Sequence, residues 1–148
     1  HQQYKSAPRL VVPFKDFAGC PIGMQGRAVA DHGKRNRWIG PTNPEGVFWS
    51  TTGVFDLGTS DATWVITEGP SDALVAAGVG VSSVAVRGAA LSQNAHTVET
   101  LIEGLADKRV VIAGDLDPSG EDFTAELAQA LIEAGVQCHQ LLFPAVTA

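Results

Sequence analysis

From residue 63 onward, short apolar runs alternate with stretches whose apolar positions recur at helical spacing. "TWVIT" (63–67), "SSVAV" (82–86), "RVVIAG" (109–114) and "QCHQLLF" (137–143) predict strands. The run before "GDLD" is nearly continuous in apolar residues, as expected of a strand buried in a parallel sheet. "PSDALVAAG" (70–78) predicts a helix with Pro70 in its first turn and Gly78 at its end. "SQNAHTVETLIEGL" (92–105) sets Ala95, Val98, Leu101, Ile102 and Leu105 at helical spacing, with Ser92 as the expected N-cap. "SGEDFTAELAQALIEAG" (119–135) predicts a third helix, with Phe123, Leu127, Ala130, Leu131 and Ala134 on one face and Gly135 as its stop. Strand and helix in strict alternation predict an α/β fold: a parallel sheet with helices on both faces.

Residues 1–61 follow another pattern. "RLVVPFKD" and "PIGMQGRAVA" are strand-like runs around the turn "FAGC". "DHGKRNRW" and "GPTNPEG" are rich in turn formers, and little helical periodicity appears. The expectation is a small mixed or β subdomain over 1–61, followed by the α/β domain over 62–148. The chain opens on His rather than Met, which suggests a piece of a longer protein.

Composition places the chain among globular proteins, at 45% hydrophobic and 18% charged residues over 148 positions. No apolar run reaches membrane-spanning length, and no signal-peptide pattern opens the chain. Cys20 and Cys138 fit no zinc spacing and call for no disulfide, so a cytoplasmic protein is expected. Charge changes the picture more. The net charge of −6 divides into +4 over residues 1–50 and −10 over residues 51–148. A basic part therefore stands beside an acidic one, so a polyanionic partner stays open despite the overall sign.

The acids gather where two strands end. Glu68 follows the first strand of the α/β part, and Asp72 falls in the first turn of the next helix. Asp115 and Asp117 follow the "RVVIA" strand, in "GDLDPSG". Residues two apart on an extended chain point the same way, so something positive is expected between the two aspartates. Ligands of open parallel sheets bind at the carboxyl ends of strands, so all four acids can converge on one site. Oxygen-only ligands of this density suit Mg²⁺ or Mn²⁺, and such a site without thiol or redox partners points to phosphoryl or nucleotidyl transfer. The plainer alternative is that Asp72, Glu121 and Asp122 only favour the positive ends of helices, and that Asp-x-Asp before Pro-Ser-Gly is only a turn.

"VITEGPSDALVAAGVGVSSVAVRGAA" followed by "VVIAGDLDPSGEDFTAELAQAL" resembles the TOPRIM domain of bacterial primases, topoisomerases and some nucleases. Glu68 matches that family's glutamate, Asp115 and Asp117 its Asp-x-Asp, and Asp72 the acid that primases place four residues after the glutamate. "LVVPFKDFAGCPIGMQGRAV" (10–29) and "RWIGPTNPEGVFW" (37–49) resemble the small basic subdomain ahead of TOPRIM in bacterial primases and phage helicase-primases. The resemblance implies a compact four-stranded parallel sheet flanked by helices. It implies primer synthesis on single-stranded DNA from nucleoside triphosphates, with Mg²⁺ or Mn²⁺, often beside a replicative helicase. By the same resemblance, Asp115 and Asp117 hold metal, Glu68 holds a second metal or moves a proton, and Asp72 adds a metal contact. Arg27, Lys34, Arg35, Arg37 and Arg87 become the candidates for nucleic-acid and nucleotide phosphates. The acidic cluster that primases carry after the fourth strand has no counterpart in "LLFPAVTA".

Rival readings are a TOPRIM nuclease or topoisomerase-type module, and a catalytically silent nucleic-acid-binding module. The only tyrosine is Tyr4, which disfavours self-contained strand passage of the type IA kind. A receiver-like signalling domain would need a lysine late in the chain, and the last one, Lys108, precedes the Asp pair. Trp38, Trp49 and Trp64 have the chemistry to stack on bases, but Trp64 lies in a strand expected to be buried and reads as core. Cys138 reads as a small buried hydrophobe, and the histidines show no ligand spacing.

Overall fold

The structure, a computed structural model, describes residues 8–29, 38–39, 54–58, 63–86 and 94–141. Two sheets organise them. The first is antiparallel, with β1 (Arg9–Lys15) beside β2 (Pro21–Ala28) and β2 beside β3 (Trp38–Ile39). Its tight turn carries Gly19 at φ 84°, a left-handed conformation that glycine adopts without strain. The Asp16 carboxylate fixes the same turn by accepting the Cys20 amide at 2.8 Å. Register sets the hairpin's two faces: Leu10, Val12 and Phe14 stand opposite Arg27, Gln25 and Gly23. Val12 and Phe14 are buried, so Arg27 lies on the inward face of the hairpin.

The second sheet has the order β4-β6-β5-β7-β8. Its strands are β4 (Phe55–Leu57), β5 (Thr63–Thr67), β6 (Ser82–Ala85), β7 (Arg109–Ala113) and β8 (Gln137–Gln140). The last four run parallel, as the alternation of strands and helices predicts. β4 was not foreseen: it pairs antiparallel with β6 and comes from ahead of residue 62. A three-residue strand carries too little alternation to be read from sequence.

Three helices link the parallel strands: α1 (Pro70–Gly78), α2 (Ala95–Leu105) and α3 (Pro118–Glu133). Leu101 and Leu105 of α2 join Phe123, Leu127 and Leu131 of α3 against Trp64, Ile66, Val84, Val110 and Ile112 of the sheet. Successive strand residues point to opposite faces. Ser83, next to Val84, accordingly meets α1 on the other face, donating its hydroxyl to the Ala73 carbonyl at 2.8 Å. Trp64 is core, as expected, with its indole packed on Gly58. Cys138 is half-buried against α3, and burial pushes its thiol up.

Helix ends differ in detail from expectation. Asn94, not Ser92, caps α2, its side chain accepting the Thr97 amide at 3.3 Å. α3 begins at Pro118 with Asp117 as its cap, and Gly135 (φ 81°) turns the chain after it. The ladder of β8 stops at Gln140, and the Leu141 amide adds one more bond to the Ile112 carbonyl at 2.9 Å. The two sheets meet through the Lys15–Val54 backbone pair, at 2.9 and 3.0 Å. Phe17 packs on Gly104 of α2, where any side chain would overlap its ring. No helix among the described residues is long and apolar enough to cross a membrane.

Candidate active site

The central strand β5 sends its connection through α1 to β6 on one side, while β7 pairs on its other side. The crevice of an open α/β sheet forms where successive connections part in this way. Thr67 and Ala113 are paired at the carboxyl ends of β5 and β7, so the residues after them emerge side by side. Glu68 follows one strand and Asp115 the other. They meet directly: the Asp115 amide donates to Glu68 Oε1 at 2.7 Å. The turn after β5 is fixed by the buried Thr67, whose hydroxyl donates to the Gly69 carbonyl at 3.0 Å. Asp72 stands in the first turn of α1, with its amide on the Gly69 carbonyl.

The Asp115–Asp117 segment lies beyond the strand ladder, and Asp117 keeps an extended backbone as the cap residue of α3. β7 ends at Ala113, and the acids lie in the bend before α3. Asp117 turns back to accept the Gly120 amide at 2.9 Å and caps α3. Two of these acids are met by backbone amides: Asp115 N–H for Glu68 and Gly120 N–H for Asp117. Glycine makes that close approach feasible. A side chain at Gly120 would overlap the Asp115 carbonyl and lie 2.6 Å from its amide nitrogen. One at Gly114 would overlap the Thr124 hydroxyl. Sequence reasoning did not assign Gly114 and Gly120 to the site, although they bracket "DLDPS".

The electrostatics tie the four acids together. Burial pushes the Glu68 carboxyl up; the Asp115 amide opposes this, and the charges of Asp115, Asp117 and Asp72 reinforce it. Burial also pushes Asp72 up, with Asp115 adding to the rise and Arg27 opposing it. Arg27, carried on the inward face of the hairpin, thus bears on the acidic edge. Lys34, Arg35, Arg37 and Arg87 lie outside the described residues, as do Trp49 and Ser92.

These residues fit a hard divalent cation in their chemistry. All four donors are carboxylates, they share one sheet edge, and burial, reinforced by mutual repulsion, raises Glu68 and Asp72. Among the described residues, no three His, Cys, Asp or Glu side chains lie together as a group that could hold a metal ion.

Residues 65–147 match the profile of a family described as Toprim-like, a span of more than half the chain. The chain belongs to the Toprim-like family. Its Toprim-like core and hairpin together resemble the Aquifex aeolicus primase (zinc-binding and RNA polymerase domains), with 26% identity and a TM-score of 0.68. That match covers 92% of this chain and 34% of the other, so the chain spans about a third of the Aquifex primase fragment. The primase fragment of the bacteriophage T7 primase-helicase matches at 20% identity and TM-score 0.66, over 90% of this chain and 53% of that one. T7 primase domains seen with the lagging-strand DNA polymerase, an RNA/DNA hybrid and dTTP match at 18% identity and TM-score 0.62, over 95% and 68%. The two T7 matches show a shared fold. No curated protein matches the sequence.

Proposed function

We propose that this Toprim-like chain is the nucleotidyltransferase core of a primase, joining nucleoside triphosphates into RNA primers on single-stranded DNA. The observation that carries this reading is the Asp115 amide on Glu68 at the switch point of the sheet, with the hairpin's Arg27 bearing on Asp72 beside it. One arrangement thus sets a carboxylate edge for metal against a cationic element for phosphate. The likeness to the Aquifex primase across both parts of the chain supports it. A cytoplasmic location and work beside a replicative helicase follow from the same reading.

Asp115, Glu68 and Asp72 would hold Mg²⁺ or Mn²⁺, with Asp117 contributing the oxygen left free by its cap. The bound cation would neutralise charge that develops on the transferring phosphoryl group. The chain's own residues supply position. The Asp115 amide fixes one oxygen of Glu68. Gly114 and Gly120 let α3 approach closely enough to hold the Asp115 backbone. Arg27, Lys34, Arg35, Arg37 and Arg87 would receive template and nucleotide phosphates. Glu68 would either hold a second cation or, left uncoordinated, take the proton of an attacking hydroxyl.

The test is primer synthesis by the 148-residue chain on single-stranded DNA with labelled nucleotides and Mn²⁺ or Mg²⁺. Labelled primers, reduced by roughly 100-fold or more in Asp115→Asn, are expected. Shortening of labelled DNA without primers would replace this reading by a nuclease. Neither product, together with no bound manganese, would leave a silent Toprim-like module.

A further inference from the structure

On the far side of Asp115 from Glu68 lies an open crevice of about 210 Å³. The loop after β7, the first turns of α3 and the end of β8 enclose it, with Asp115, Leu116, Glu121, Thr124, Gln140 and Leu141 among its walls. Leu116 is 80% exposed and Leu141 41% exposed, so both present apolar surface to solvent beside the carboxylates. We propose that this crevice seats the nucleoside part of a nucleoside triphosphate whose phosphates lie at the Glu68–Asp115 edge; the inference rests on the nucleotidyltransferase reading above.

Three features of the lining argue for that part of the ligand. Among the described residues, no lysine, arginine or histidine lines the crevice, so they supply no cationic side chain for a phosphate there. The carboxylates and the Gln140 side-chain amide instead accept hydrogen bonds from sugar hydroxyls or a base amino group. Leu116 and Leu141 offer apolar surface for a ring face, which would cover them from water. Size agrees: whole-ligand pockets run from about 300 Å³ upward, so a crevice of about 210 Å³ takes one portion of a larger ligand. Asp115 belongs to both the crevice and the carboxylate edge, so the two are contiguous and one nucleotide can span them.

The experiment is amide-resolved NMR of the 148-residue chain in Mg²⁺, titrated first with pyrophosphate and then separately with ATP. Pyrophosphate is expected to move the signals of Glu68 and Asp115 and to leave Gln140 and Leu141 in place. ATP is expected to move all of these together with Leu116 and Thr124. Leu116→Ala, at an exposed position that leaves the fold intact, should weaken ATP binding by roughly five- to tenfold and leave pyrophosphate affinity unchanged. Movement at Glu68 and Asp115 with a silent crevice, or equal ATP affinity in Leu116→Ala, overturns the inference while the proposed function stands. No binding of either probe overturns the proposed function, and the inference with it.

Discussion

The carboxylate of Asp117 is committed to the Gly120 amide, and that commitment separates its role from that of Asp115. An N-cap accepts an amide that no helical carbonyl can reach, and asparagine does this nearly as well as aspartate. Asp117→Ala should therefore destabilise the chain by about 1 kcal/mol, whereas Asp117→Asn should keep most of that stability and lose only what the charge supplies to metal. Urea unfolding of the two variants checks this; equal losses would mean that the cap contributes little. Glu68 makes the opposite case. Its folded pKa is raised, so the folded chain binds its proton more tightly than the unfolded chain does. The stability this contributes is present below the ordinary carboxylate range, near about pH 4, and is lost as pH rises through the raised value. Glu68→Gln keeps an oxygen for the Asp115 amide and removes the titration. In the absence of divalent metal, the stability of wild type relative to Glu68→Gln should fall as pH rises from 4 to 7. A difference that stays flat across that range would refute the assigned burial and repulsion.

At the scale of elements, the bend between β7 and α3 holds the site, and its geometry depends on the closeness of Gly120 to the Asp115 backbone. Gly120→Ala places a methyl group where backbone already lies. The expected cost is about 2 to 3 kcal/mol, with loss of the thermal stabilisation by Mg²⁺, because α3 must move away from Asp115. Calorimetry with and without Mg²⁺ measures both; an unchanged metal-dependent shift would show that the bend tolerates the movement. This bend also marks what the sequence could disclose. The parallel strands and three helices were legible because their apolar spacing is imposed by burial, which leaves a periodic trace. The acids were legible as a set because they sit at strand ends. The capping role of Asp117 was not, since the apolar spacing set the start of α3 at Ser119 and left Asp-x-Asp-Pro open as a simple turn. β4 was not legible either, because Phe55–Leu57 is ordered by its β6 neighbour and not by any local pattern. Gly114 and Gly120 looked like ordinary turn residues; only packing against Thr124 and Asp115 shows that they are steric requirements.

Across the whole molecule, the +4 of the first fifty residues and the −10 of the remainder describe two parts of opposite charge. Coulomb attraction between exposed charges is screened within about 8 to 10 Å at physiological salt, so charge alone does not fix their relation. Apolar packing does more. Val12 and Phe14 are buried, and Phe17 lies on Gly104 against the α2–α3 core. The hairpin so anchored carries Arg27 toward Asp72. Phe17→Ala should remove this contact at a cost of about 2 kcal/mol, below the value for a fully buried phenylalanine. The loss should be local. Amide exchange should quicken in β1 and β2, while β5 and β7, whose Ile66, Val110 and Ile112 are fully buried, keep their protection. Arg27 would then be held less firmly over the acidic edge, and the salt dependence of binding to single-stranded DNA should weaken together with hairpin protection. Uniformly faster exchange in both sheets would instead mean that hairpin and Toprim-like core unfold as one unit, and that Phe17 stabilises the whole chain without separately positioning its cationic arm.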